Sequence, residues 1–276
     1  DNVNVRCFDQ KRRFGIDFLY PMSRYIDGLR DKSVPDRSGS LLPNPIFTDH
    51  DPNDGIDVRS ASKIFVAAIV GVPWQDIARQ DTNSKPDLLS GLDADSRPVG
   101  GFKSAAELVS DKVWSVILGD PSAYVPPTDP LMIPSIDPRA GTNPVTGDKL
   151  AGVTAGPLAN PINGHERTLS QREDLQYACI YRLKTPVDCP PNSSCVCANP
   201  ATDDPLCQNP MTGKYEAKQY FAAALPAVRH LQLIKGLGPQ GIVASICPRQ
   251  IEDNTAADFG YLRAADGIID RLGAQL

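Results

Sequence analysis

Ser62-Lys-Ile-Phe-Val-Ala-Ala-Ile-Val-Gly-Val-Pro-Trp-Gln-Asp-Ile-Ala78 is the stretch that sets the fold class. From Ile64 to Val72 it carries no charged or polar side chain. The run is too short to cross a bilayer, which takes about 20 apolar residues. Ile64, Val66, Ile69, Val70 and Val72 are β-branched, and Gly71-Val72-Pro73 stops the run. That pattern predicts a strand buried on both faces, as in parallel sheets covered by helices. Gly241-Ile-Val-Ala-Ser-Ile246 has the same character. The expected architecture is α/β: a layered, mostly parallel sheet with helices on both faces and these two strands at its centre.

Outward from that strand, Trp74 to Ala78 opens a short helix. Ser104-Ala-Ala-Glu107 is a capping-box signature, and Ala105, Leu108, Val109, Val113, Val116 and Ile117 continue it as an apolar stripe ending at Gly119. On the other side, Phe14, Ile16, Phe18 and Tyr20 alternate like a strand. Pro21 then opens a helix through Met22, Tyr25, Ile26 and Leu29. Residues 1–13 read as a polar arm and 31–61 as a polar connection. Helical spacing returns over 215–236 with Pro226 as a break, and a last helix is expected near 258–273.

Residues 120–214 hold 15 of the 26 prolines, which predicts a long loop region, of a length that is unusual in a compact domain and usually functional. Three patterns recur there: Asn143-Pro-Val-Thr-Gly147, Asn160-Pro-Ile-Asn-Gly164 and Asn209-Pro-Met-Thr-Gly213. Each predicts a turn that proline opens and a positive-φ glycine closes. Leu175 to Leu183 reads as a strand within it. The chain divides into a first core part (1–119), a Pro/Cys-rich insertion (120–214) and a last core part (215–276) of one composite domain.

Seven cysteines point away from a reducing cytosol. Cys179, Cys189, Cys195, Cys197 and Cys207 crowd one segment and read as a disulfide knot, with Cys247 a further candidate. Cys179 and Cys247 adjoin apolar segments and either pair with each other or stay buried. The odd count leaves one thiol over. Cys7, remote in sequence, is the candidate for an unpaired or intermolecular cysteine. A zinc site is disfavoured, because Cys195-x-Cys197 lacks the two-residue spacing and has no histidine nearby. The chain starts at Asp1 without a signal sequence, so a removed leader or a longer parent chain is expected, and a processed N-terminal segment is a candidate partner.

Ile64 to Ala78, Asp174-Leu-Gln-Tyr-Ala-Cys179 and Leu237-Gly-Pro-Gln-Gly-Ile-Val-Ala-Ser-Ile-Cys247 with the closing helix resemble large secreted Gram-negative bacterial proteins of von Willebrand factor A type carrying insertions. The resemblance is strongest at 64–73 and over the last forty residues. It implies a doubly wound α/β sheet, binding on the loops at the strand C-termini, and a role in adhesion or assembly. The family's metal motif, Asp-x-Ser-x-Ser, has no counterpart here, so no metal ligand is carried over.

The net charge is −5 and the basic residues are dispersed, which argues against nucleic acid; Lys11-Arg12-Arg13 is too short to change that. No stretch is long enough for a transmembrane helix. Asp49, Asp51, Asn53, Asp54 and Asp57 are candidate Ca²⁺ ligands, set against a solvated turn rich in Asx caps. Trp74, Gln75 and Asp76, just past the strand end, are candidate binding-rim residues. His165 with Ser245 is a conceivable base and nucleophile, but there is no Gly-x-Ser-x-Gly elbow. Asp137 and Arg139 read as a loop-packing ion pair. Together these features predict a secreted, periplasmic or cell-surface protein without catalytic activity. It would act through contacts with other protein subunits or a cell-surface protein, as adhesin or assembly subunit. The rivals are a periplasmic hydrolase with its site on the loops after 72 and 246, and a calcium-dependent binding module.

Overall fold

The computed structural model describes residues 2–15, 17–51, 53–54, 58–89, 100–152, 154–157, 159–168 and 173–273. In chain order they form α1 (Val3–Phe14), α2 (Met22–Arg30), β1 (Ser33–Pro35), β2 (Leu41–Pro43), β3 (Val66–Val70), α3 (Trp74–Ile77), β4 (Arg79–Gln80), β5 (Pro86–Asp87), α4 (Ala105–Ser110), α5 (Val113–Ile117), β6 (Cys179–Asp188), β7 (Lys218–Ala224), α6 (Val228–Leu237), β8 (Gly241–Ser245) and α7 (Leu262–Gly273).

The two apolar runs do pair, and in parallel: Val66 lies opposite Gly241 and Val70 opposite Ser245. The chain is therefore mixed α/β with a parallel pair at its centre. The pair does not extend into a broad sheet among the described residues, where every sheet has two strands. Nor is β3 covered on both faces. Its residues alternate between half-buried and exposed, and Ile69 is 38% exposed. Val66, Ala68 and Val70 pack on the core, which is made of Val72, Ile77, Leu108, Val113, Trp114, Ile117, Leu118, Met132, Ala178, Leu231, Ile234 and Val243. Helices α3, α4, α5 and α6 thus cover one side of the pair.

The remaining elements follow from local chemistry. Ser104 accepts from the Glu107 amide, and the Glu107 carboxylate accepts from the Ser104 amide, so the capping box forms as its spacing predicts. The apolar stripe then breaks, because Lys112 takes a left-handed conformation and divides α4 from α5. Residues 3–14 are helical, not an arm. Asn2 caps the start, Lys11, Arg12 and Arg13 face the negative C-terminal end, and Gly15 closes the helix at φ 66°. The alternation at 14–20 makes no strand: Phe14 ends α1, residues 17–21 are irregular, and Ile16 lies outside the described residues.

The second sheet is the antiparallel hairpin β6–β7, with Cys179 opposite Ala224 and Asp188 opposite Lys218. It corrects two expectations. Residues 218–224, alanine-rich and read as helix, form a strand because cross-strand pairing with β6 outweighs helix propensity. Residues 175–178 lead into β6, which runs on past Pro186 through a register shift between Arg182 and Val187. The hairpin also crosses the expected boundary at 214, tying the Pro/Cys-rich region to the last core part.

Three disulfides are present: Cys179–Cys247, Cys189–Cys195 and Cys197–Cys207. The last two knot the long connection between β6 and β7. The first links the start of β6 to the residue region after β8, stapling one sheet to the other. Cys7 is free and exposed on α1. Gly71 lets the two sheets approach, since a Cβ there would stand 1.9 Å from the Leu225 carbonyl oxygen.

Candidate functional site

Both parallel strands end at the same edge, and the loops that leave them diverge there. One carries Gly71-Val72-Pro73 into α3, and the other runs Ile246 to Glu252. Ile246 still donates its N–H to Val70 O (2.9 Å), so the loops separate only beyond that point. Between them and the start of β6 lies a cleft of about 470 Å³. Trp74, Ile162, Met211 and Phe221 give it apolar surface. Gln75, Asn160, Arg182, Arg249, Gln250 and Glu252 give it polar groups, and the Cys179–Cys247 disulfide lies in its wall. This is the place an open α/β sheet binds ligands, outside the carboxyl ends of its strands.

The charged lining is internally paired. Arg182 meets Glu252 at 3.4 Å and Arg249 meets Asp258 at 2.7 Å, while the Arg249 guanidinium also stands 5.9 Å from the Trp74 ring centre. Two polar atoms are not paired. Gln75 Oε1 and Asn160 Nδ2 are buried and have no hydrogen-bond partner among the described residues. Leaving such an atom unpaired costs about 1–3 kcal/mol.

Two of the cleft's walls are the expected turns. Asn143, Asn160 and Asn209 each accept backbone N–H groups on Oδ1, from Val145 (2.9 Å), Ile162 (2.9 Å) and Met211 (2.9 Å) respectively. Gly147, Gly164 and Gly213 close them at φ 76°, 74° and 70°. The asparagine in each turn mimics a backbone turn with its side chain, which is why the pattern repeats.

Behind the cleft lies a buried polar layer that the sequence did not disclose. Arg139 pairs with Glu166 (2.9 Å) and also donates to the carbonyls of Pro130 (3.1 Å), Leu131 (2.5 Å), Ile133 (3.3 Å) and Tyr177. The expected partner, Asp137, is exposed instead. Arg167 pairs with buried Asp204, which also accepts from the Tyr177 hydroxyl (3.1 Å). Burial, then the Asp204 charge, pushes the Tyr177 hydroxyl well above its ordinary range. Asp76 and Asp129 face each other over the Asn143 amide, whose Nδ2 donates to both (3.5 and 3.3 Å). Burial raises the pKa of Asp76 well above the ordinary carboxylate value, and the Asp129 charge adds to it. Burial also raises that of Asp129.

Of the three rim candidates, Trp74 and Gln75 line the cleft, whereas Asp76 turns inward to this layer. His165 and Ser245 are not brought together. Ser245 Oγ donates to Val72 O (2.5 Å), and His165 Nε2 lies 2.5 Å from the Tyr215 hydroxyl. Burial lowers the His165 pKa, which favours the neutral ring. His230 is exposed on α6. In the acidic run, Asp49 Oδ1 accepts from the Asp51 N–H (3.0 Å) and Asp51 Oδ1 from the Asn53 N–H (3.1 Å), so these carboxylates close Asx turns. Asp57 lies outside the described residues. Among the described residues no group of three or more His, Cys, Asp or Glu side chains is arranged to hold a metal ion. No helix among them is long and apolar enough to cross a membrane.

No protein-family model, no curated protein and no solved structure matches this chain.

Proposed function

We propose that this is a non-enzymatic protein of an oxidising, extracytoplasmic compartment, an adhesin or assembly subunit that takes a segment of a partner protein into the cleft at the strand ends. The observation that carries the reading is the make-up of that cleft. It combines an aromatic wall, apolar side chains and a few amide, guanidinium and carboxylate groups, and among the described residues its lining has no serine, histidine or free thiol. Such surfaces suit recognition: apolar area supplies affinity and a few polar groups fix orientation. Three disulfides and an exposed free Cys7 accord with an extracytoplasmic chain able to join a neighbour covalently. The likeness to secreted von Willebrand factor A-type proteins belongs to this reading and rests on the quoted motifs alone.

The test is a selection. The oxidised protein is panned against a random dodecapeptide display library, with Trp74→Ala as the counter-target. The expected result is an enriched consensus that binds the wild type and not the variant. Absence of enrichment, or turnover of ester or peptide substrates by the purified protein, overturns the proposal. A melting temperature that falls in EDTA would favour a calcium-dependent module instead.

A further inference from the structure

We infer that the connection between α1 and α2 docks on a lipid bilayer with anionic headgroups: Phe14, Phe18, Leu19 and Tyr20 enter its interface, and Arg13 and Arg24 meet its phosphates. Those four apolar side chains fall within seven residues, and each is between 57 and 69% exposed. Removing them from water is favourable, and large apolar surface gathered on one loop marks a contact site. None of them lines the cleft at the strand ends, so this surface is separate from the one described above.

The loop is held in this pose by its polar groups, which turn inward. Asp17 accepts from Lys11 of α1 (3.3 Å), from Arg229 of α6 (2.8 Å) and from the Leu19 N–H (3.1 Å). Arg229 also donates to the Tyr20 carbonyl (2.5 Å), and the Gly15 N–H donates to Lys11 O (2.9 Å). Arg30, at the end of α2, donates to Gly236 O (3.0 Å), so α2 is fastened to α6 as well. The one acidic side chain of the loop is thus neutralised by two cations, and three of its backbone groups are engaged within the protein. That suits an apolar medium, where an unsatisfied backbone group is costly.

Charge decides between lipid and protein. Residues 2–25 carry five basic residues against two acidic ones, in a chain of net charge −5. Both acidic residues are paired, Asp9 with Arg12, and Asp17 with Lys11 and Arg229. Arg13 and Arg24 have no carboxylate partner among the described residues. Each lies instead over a ring at one end of the loop, Arg13 at 5.6 Å from the Phe14 ring centre and Arg24 at 4.4 Å from that of Tyr20. The two guanidiniums therefore flank the apolar side chains. A bilayer offers both complements in fixed order, phosphate outside and acyl chain beneath. A protein partner would have to combine an apolar hollow with two acids placed to match.

The experiment is co-flotation of the full oxidised chain with vesicles of phosphatidylcholine alone, and of phosphatidylcholine with an equal part of phosphatidylglycerol. Binding is expected on the anionic vesicles, weaker by about tenfold or more on the neutral ones, and falling as salt is raised. The double variant Phe18→Ser/Leu19→Ser should lower partitioning by about tenfold or more. Arg13→Gln/Arg24→Gln should lower it by about fivefold for each arginine. Melting temperatures should not change, because all four side chains are exposed. The fluorescence of Phe18→Trp should shift to the blue on anionic vesicles and be quenched by brominated acyl chains, which decides the matter if a double variant does not fold. No flotation, equal flotation on both vesicles, or flotation that ignores the double variants overturns the inference. A dimer in solution that Phe18→Ser/Leu19→Ser dissolves, without flotation, overturns it in favour of a second copy of this chain.

Discussion

Removing the Cys179–Cys247 disulfide, by changing both residues to alanine, is expected to cost more than removing either of the others. The bridge closes a loop of 68 residues, against 6 for Cys189–Cys195 and 10 for Cys197–Cys207. In the chain-entropy account, a loop of that length restricts the unfolded chain by about 4.4 kcal/mol at 25 °C, and the two short loops by about 2.2 and 2.7 kcal/mol. For 276 residues the unfolding entropy is roughly 0.58 kcal/mol/K, so the melting temperature should fall by roughly 8 °C for the long bridge and by roughly 4 °C for the shortest. There is a second consequence, because this disulfide lies in the cleft wall. Its loss should also weaken any cleft ligand, whereas loss of Cys189–Cys195 should not. Urea unfolding of the three double variants, with calorimetry alongside, measures the first effect. Equal losses for the three pairs, or a loss under about 1.5 kcal/mol for the long one, would refute the reasoning.

Gly71→Ala should destabilise the chain by more than 2 kcal/mol on the order of a core defect, since its Cβ meets the Leu225 backbone at 1.9 Å; Gly147→Ala, with open space at φ 76°, should cost only about 1 kcal/mol. Similar urea midpoints for the two would contradict this. Arg139→Met strands buried Glu166 without its countercharge and should cost roughly 3–5 kcal/mol in the same assay; a change below about 1 kcal/mol would remove Arg139 from its central role. Asp76 holds its proton above the ordinary value of 3.8, because burial and then the Asp129 charge disfavour ionisation. The folded chain thus retains a proton that the unfolded chain releases, and this contribution to stability declines as pH rises from that value through the folded pKa. Asp76→Asn should flatten the decline, and urea midpoints with the same pH slope in both proteins would refute it. Glu107 is the opposite case: partial burial pushes it upward, but Arg79 and Ser104 outweigh this and hold it at about 2. Glu107→Gln should therefore flatten the loss of stability between the ordinary carboxylate range and about pH 2, measured by acid titration of the circular dichroism signal.

The parts of the fold that were legible in the sequence are those where local chemistry and burial agree. The 64–72 run and its partner near the end formed a parallel pair, Ser104 and Glu107 formed their capping box, and the three Asn-Pro-x-x-Gly turns closed as spelled. Of the residues just past the strand end, Trp74 and Gln75 line the cleft and Asp76 does not. Residues 218–224 were misread because alanine favours helix locally while the pairing with β6 is decided at a distance. The first helix was misread for the opposite reason. Its apolar pattern is weak, with only Val5 buried, although Asn2, the basic last turn and Gly15 mark both ends. The buried polar layer could not be read at all. Arg139 and Glu166, or Arg167 and Asp204, are separated by 27 and 37 residues, and no spacing rule links them. Asn160 closes its turn as Asn143 and Asn209 do, but its Nδ2 has no partner among the described residues, a difference that belongs to the folded chain.

The parallel pairing of β3 with β8 also sets an order of events. Val66 must find Gly241, so the central ladder closes only after most of the chain has been made. Until then β3 has no β8 to complete its hydrogen bonds, and an apolar strand with an open edge is a template for pairing with other chains. Contacts this distant slow folding, because loop closure must precede the gain from burial. The β6–β7 hairpin and its two short disulfides can form earlier. Ending the chain before Gly241 would remove both the strand that covers β3 and Cys247, leaving a kinetic trap in place of a smaller domain.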